Sequence, residues 1–239
     1  HCVTRRQRQM CIRDRGGMTA MHSQGDMMPG FEHVLPPYWY KYGGDMSHDD
    51  FGIHAAKKIE EKINEIGPDN IAAFIGEPIQ GAGGVIIPPD TYWPRVQEIC
   101  NQYDILLVVD EVICGFGRTG NWFGSDTYNI KPDIITMAKG ITSGYIPLSG
   151  IMICDRVCET LINEGGEFYH GYTYSGHPVA CAVSLENLKI IKEENLIEQS
   201  RNVSVYLEQQ MREIEKHPLV GEVRTVSYTH LRAHETFAN

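Results

Sequence analysis

Apolar and polar positions along this chain alternate between two periods. Ile105-Leu106-Leu107-Val108-Val109 is a continuous apolar run that stops on Asp110-Glu111, and Asp133-Ile134-Ile135-Thr136-Met137 leads into Ala138-Lys139-Gly140. Short apolar runs bounded by turn signals read as buried strands. Residues 71–75, which end at Gly76-Glu77-Pro78, and residues 148–154 read the same way. Between these runs the pattern becomes helical. Ser47 stands as an N-cap with Asp50 in capping-box spacing, and Ala55, Ile59, Ile63 and Ile66 follow until Gly67-Pro68 stops the helix. Asp90 or Thr91 caps a second helix through Val96, Ile99 and Tyr103. Asp155 starts a short one. Pro178 suits the first turn of a long one through Ala182, Leu185, Leu188 and Ile191. Asn195 caps a further helix through Leu196, Val203, Leu207, Met211 and Ile214, ended by Pro218. Strands that alternate with helices and are apolar on both faces predict an α/β fold with a largely parallel sheet and flanking helices.

The remaining stretches read as loops. Residues 16–44 are rich in Gly, Pro, Met and aromatics, and Pro36-Pro37 forbids regular helix there. The Tyr38-Trp39-Tyr40-Tyr42 cluster either lines a ligand entrance or packs a loop onto the core. Residues 80–84 are a Gly-rich turn, and 85–87 a brief extended piece before Pro88-Pro89. The two ends stand apart. Residues 1–15 hold five arginines against one aspartate, and residues 226–239 show neither helical nor strand periodicity. Both resemble translated adapter sequence, so three segments are expected: an extraneous 1–15, a partial large domain over 16–225, and an extraneous 226–239.

The charge sharpens this picture. The 239 residues carry a net charge of −10. Without the two ends, Lys+Arg falls by six from 21 and Asp+Glu by two from 31, so the body is near −14. An acidic body argues against nucleic acid or an anionic membrane as partner. No apolar run approaches the roughly 20 residues of a membrane span. Seven cysteines without a CxxC pair or regular framework read as reduced thiols of a cytoplasmic protein.

Candidate chemistry lies at the strand ends. In open α/β sheets ligands bind beyond the carboxyl ends of strands. Glu77, Asp110 and Lys139 each stand just past such an end. An amine in a partly desolvated pocket condenses with an aldehyde, and a carboxylate against a pyridine nitrogen keeps that ring protonated. The pair therefore fits pyridoxal 5'-phosphate, with Asp110 on the ring nitrogen and Lys139 as the amine that bonds it. Val112 would press an apolar face on the ring, and Gly140 and Gly144 leave room for a planar group. Thr142, Ser143 and Thr173 offer hydroxyls of the kind that bind phosphate oxygens. Competing motifs are weaker. The GFGRTG stretch, residues 115–120, matches GxGxxG, but no helical pattern follows it as a dinucleotide site requires. His170 and His177 lie in a loop without further metal ligands, so no metal is expected. Cys114 has no evident base and reads as packing.

Glu77-Pro78-Ile79-Gln80-Gly81, Asp110-Glu111-Val112 with GFGRTG, Ala138-Lys139-Gly140, and Thr173-Tyr174-Ser175-Gly176-His177-Pro178 together resemble the class III aminotransferases of the fold type I pyridoxal-phosphate enzymes. The stretches at 21–26, 36–46, 115–126 and 165–178 are most similar to the putrescine–pyruvate and ω-amino acid–pyruvate group. The resemblance implies roles. Lys139 is the Schiff-base lysine and proton carrier, Asp110 pairs with the pyridine nitrogen, and Val112 packs on the ring. Thr173 binds the cofactor phosphate of a neighbouring subunit, which implies a homodimer with shared sites. Glu77 meets the substrate and pairs with a mobile arginine. The implied reaction is ping-pong transfer from an amine donor, a diamine or other ω-amino compound, to a keto acid such as pyruvate, within polyamine catabolism. Family members are about twice as long. The Gly-Ser phosphate loop, a stacking tyrosine and the small C-terminal domain have no counterpart here, so the chain is expected to be inactive alone, at most a dimerising module. An aminomutase or decarboxylase of the same fold would share Asp110 and Lys139. The donor stays open among putrescine, cadaverine, spermidine, ω-amino acids and taurine.

Overall fold

The computed structural model describes residues 30–226 and the backbone of 229–233. The 1–15 extension and the 21–26 stretch lie outside the described residues. In chain order the elements are α1 (Trp39–Tyr42), α2 (His48–Ile66), a 3-10 turn (Pro68–Asn70), β1 (Ala73–Gly76), α3 (Tyr92–Gln102), β2 (Leu106–Asp110) and α4 (Gly124–Thr127). Then come β3 (Ile134–Met137), a 3-10 turn (Lys139–Ile141), β4 (Gly150–Ile153), α5 (Asp155–Asn163), α6 (Pro178–Glu193), α7 (Leu196–Glu215), β5 (Val220–Thr225) and β6 (Thr229–Ala233).

Four strands form one sheet in the order β1-β2-β3-β4. The first three run parallel, with Ile75 opposite Val108 and Val108 opposite Ile134. β4 returns antiparallel at the edge, with Met137 opposite Gly150. The connection 138–149 carries only a 3-10 turn and not the crossover helix that a parallel return uses. The expected α/β fold stands, with a mixed sheet.

α2 begins as its sequence requires: Ser47 Oγ accepts the Asp50 N–H at 3.1 Å. Its buried residues Phe51, Ala55, Ile59 and Ile63 pack with Trp93, Val96 and Ile99 of α3 and with Leu107 and Val109 of β2. Each large side chain buried here contributes about 1.5–3 kcal/mol. β2 alternates between half-buried and fully buried positions, so only one face of this doubly apolar strand is fully covered. On β4, Ile151 and Met152 remain 62% and 51% exposed.

Three local readings change. Trp39–Tyr42 forms one helical turn directly after Pro36-Pro37; proline excludes the helix from its own position but not from the next residues. On α6 the stripe through Ala182 and Leu185 faces outward, Leu185 being 69% exposed, and the buried stripe is Ala180, Ser184 and Ile191. Helical period marks an apolar face, and the neighbours packed against α6 decide which face is covered. The backbone at Thr229–Ala233, which lacks strand alternation, pairs antiparallel with β5; pairing to a neighbour defines this strand rather than its own pattern. Among the described residues no helix is long and apolar enough to cross a membrane.

Candidate active site

β1, β2 and β3 are parallel, so their carboxyl ends share one sheet edge. β2 delivers Asp110 as its last residue, β1 hands Glu77 to the following turn, and Lys139 follows β3. The structure brings these three together. Burial pushes the Glu77 carboxyl above its ordinary range; the Gly81 N–H opposes this, the Asp110 charge adds to it and the Lys139 charge opposes it. One carboxyl therefore feels both other groups. Glu77 Oε2 accepts the Gly81 N–H at 2.9 Å, so the acid is folded back on its own turn. That turn is fixed from below, where Trp93 Nε1 donates to Pro78 O at 3.0 Å.

Asp110 is half-buried, and its Oδ1 accepts the Val112 N–H at 3.1 Å. β2 ends at Asp110, and the turn that follows places Val112, whose amide clamps the aspartate. Lys139 is exposed and opens the 3-10 turn with φ +45°. Gly140 is pressed against the GFGRTG loop, where an added Cβ would meet Phe116 Cβ at 3.0 Å. That loop is not a dinucleotide cradle. Gly117 and Gly120 take φ +98° and +80°, and α7 holds them through Ser200 Oγ to Gly117 O and Arg201 to Gly120 O.

Other expected residues stand elsewhere. The Thr142 hydroxyl is buried and donates to Ile146 O at 2.7 Å, and Ser143 Oγ donates to Asn187 Oδ1 at 2.7 Å. Both hydroxyls stabilise the loop, so neither is offered to a phosphate. Thr173 is exposed in the aromatic loop and makes no hydrogen bond to a described residue. His177 Nδ1 accepts the Ala180 N–H and caps α6. Tyr38 is buried, and its hydroxyl donates to the Glu222 carboxylate, so it packs a loop; Trp39, Tyr40 and Tyr42 are exposed. Cys114 is buried, its thiol pushed up to about 12 chiefly by burial, which leaves it unreactive. Among the described residues no group of His, Cys, Asp and Glu could hold a metal ion.

Sequence reasoning missed three contributors. Glu111 is fully buried and accepts the N–H groups of Gly124 and Ser125 at 2.8 and 2.7 Å. Asn187 binds the turn of Lys139; a polar residue near a buried helical stripe was the available signal. Thr136, in register with Asp110, carries a buried hydroxyl without a partner among the described residues.

The residues present fit a pyridoxal-phosphate site. An acid and an amine converge at one sheet edge, and an orphaned hydroxyl lies one strand from the acid, where a polar ligand atom would satisfy it. Fold and site define an α/β transferase of the fold type I pyridoxal-phosphate class. A profile of the family described as aminotransferase class-III matches residues 13–236. The chain belongs to the class III aminotransferases, enzymes that depend on pyridoxal 5'-phosphate.

The chain is 59% identical over 213 residues to the putrescine–pyruvate aminotransferase of Pseudomonas aeruginosa, covering 88% of this chain and 46% of that protein. It is 46% identical to the diaminobutyrate–2-oxoglutarate transaminase of Halomonas elongata, with coverage of 88% and 46%. The (S)-enantioselective ω-transaminase from Thermomicrobium roseum superposes with a TM-score of 0.88 at 47% identity, covering 92% of this chain and 49% of that one. The chain thus spans about half the length of the relatives it matches.

Proposed function

We propose that Glu77, Asp110 and Lys139 serve transamination from an amine donor, putrescine or another diamine or ω-amino compound, to a keto acid such as pyruvate. The observation that carries this reading is the convergence of the three charges at the parallel sheet edge; the 59% identity to a putrescine–pyruvate aminotransferase supports the substrate pair. Bound there, pyridoxal phosphate supplies the electron sink for the bond-breaking step. Asp110, held by the Val112 amide, keeps a proton on the ring nitrogen. Lys139 would hold the cofactor through its amine, and the same amine would serve as the proton carrier. Val112 flanks the ring, and Glu77 meets the substrate amine or a mobile arginine. The donor product leaves before the keto acid enters, a ping-pong order. Thr173, exposed between Tyr172 and Tyr174, serves the phosphate of a second copy, which makes the working form a homodimer. The five described cysteines are free thiols, which supports the cytoplasmic location read from the sequence.

The test is turnover by the purified full chain with pyridoxal phosphate, putrescine and pyruvate, read as alanine formed. Alanine that depends on Lys139 supports the reading; cofactor bound at another lysine overturns it. A second reading rests on the open surfaces of Ile151, Met152, Phe168 and Tyr169. On it the 239-residue chain is an inert or merely dimerising module, and turnover needs further protein to cover these faces. Light scattering beside the turnover assay separates the two.

A further inference from the structure

Lys139 sits in a backbone conformation that side-chain-bearing residues rarely take. Its φ is +45°, and that of Ser143 is +50°. Such residues persist only where their surroundings over-determine them. The 3-10 turn supplies little by itself. Ile141 N–H to Ala138 O and Thr142 N–H to Lys139 O are both 3.2 Å, and Ser143 N–H to Gly140 O is 3.3 Å. The firmer hold comes from α6. Asn187 Nδ2 donates to Gly140 O at 2.9 Å and to Ile141 O at 3.2 Å, and Asn187 Oδ1 accepts Ser143 Oγ at 2.7 Å. A carboxamide has two donors and an acceptor oxygen, and here both kinds are spent on residues 140–143. None of it serves its own helix. α6 is itself anchored by buried Ala180, Ser184 and Ile191, and Phe116 leaves no room for a Cβ at Gly140.

We propose that Asn187 is a positioning residue for Lys139, its carboxamide clamping the turn in the left-handed geometry from which the lysine side chain departs at the end of β3. The proposal deepens the transamination reading and rests on it for the role of Lys139. A reacting group held in place before binding loses less freedom on reaction, so a clamp remote from the chemistry governs how readily Lys139 is used.

The experiment uses the full chain, unsubstituted and as Asn187→Leu, Asn187→Gln and Ser143→Ala. Hydrogen exchange reads the backbone of residues 138–146. Borohydride reduction with pyridoxal phosphate, followed by peptide mass spectrometry, reads the preference for Lys139 over Lys41 and Lys216. Asn187→Leu is expected to speed exchange in 138–146 about tenfold while α3 is unchanged, and to lower the Lys139 preference about tenfold. Asn187→Gln recovers most of both. Unchanged exchange, or faster exchange with the preference retained, overturns the proposal alone. No preference for Lys139 in the unsubstituted chain overturns the transamination reading and the proposal together. If Asn187→Leu also loosens α3, Ser143→Ala, which removes one of the three bonds, decides on the same two readouts.

Discussion

The buried carboxylate of Glu111 accepts the backbone N–H of Gly124 at 2.8 Å. This ties the residue next to the site acid Asp110 to the first turn of α4, across the whole GFGRTG loop. A second bond, from Ser125 N–H at 2.7 Å, completes the grip. Glu111→Gln keeps the shape but turns a donor toward a donor at one amide. Leaving a buried donor unpaired costs about 1–3 kcal/mol. Urea unfolding of the full chain should show that loss, and an unchanged midpoint would sink the assignment.

Gly124 is buried because nothing larger fits. An added Cβ would meet Pro78 Cβ at 2.6 Å and Cys114 Cβ at 2.9 Å. Gly124→Ala should therefore destabilise by about 1–3 kcal/mol through overpacking. It should also weaken cofactor binding, because Pro78 adjoins Glu77. Thermal melting and cofactor titration check the two effects, and a gain in stability would contradict the packing.

Glu77 gives a pH signature. Burial holds its folded pKa above the ordinary 4.5. A raised carboxyl pKa favours folding most where the group is protonated; that contribution is full below the unfolded value and is lost as pH rises through the folded one. Glu77→Gln keeps an oxygen for the Gly81 N–H and removes the buried charge. Its melting point should exceed that of the unsubstituted chain by roughly 2 °C at pH 8, with the gain vanishing near pH 4. A difference that does not vary between those pH values is the contrary result.

Lys139→Ala should abolish reductive trapping of pyridoxal phosphate at this site while leaving the melting point within about 2 °C, because the side chain is exposed. Peptide mapping after borohydride reduction measures it. Continued trapping elsewhere at the original yield would remove Lys139 from its role.

Trp93 supports the site from the core. It is 1% exposed, and Nε1 donates to Pro78 O. Trp93→Phe removes that bond and leaves a void, a loss of about 1–3 kcal/mol. The Glu77 turn should loosen with it, seen as faster hydrogen exchange at Gly81.

Local patterns exposed much of this fold. Ser47 and Asp50 marked the start of α2, and the apolar runs marked β1, β2 and β3 with the residues just beyond them. Other features had no local signal. The outward stripe of α6 looked as apolar as the buried one, because periodicity shows that a face exists and not which neighbour covers it. The Thr142 and Ser143 hydroxyls looked free until Ile146 and Asn187 were found holding them. The strand pairing of Thr229–Ala233 depends on β5 and not on its own residues.

The sequence by itself determined the α/β order and the three ionisable residues at strand ends, because strand length, helical period and terminal residues are local properties, and its motifs carried the resemblance to the class III aminotransferases. Tertiary structure alone decided that β4 turns back antiparallel, that the carboxyl of Glu77 feels both Asp110 and Lys139, and that Glu111 and Asn187 hold the loops around them. Those relations join residues between 13 and 62 positions apart. Packing and hydrogen bonding across the fold bring them together, and no local spacing records that.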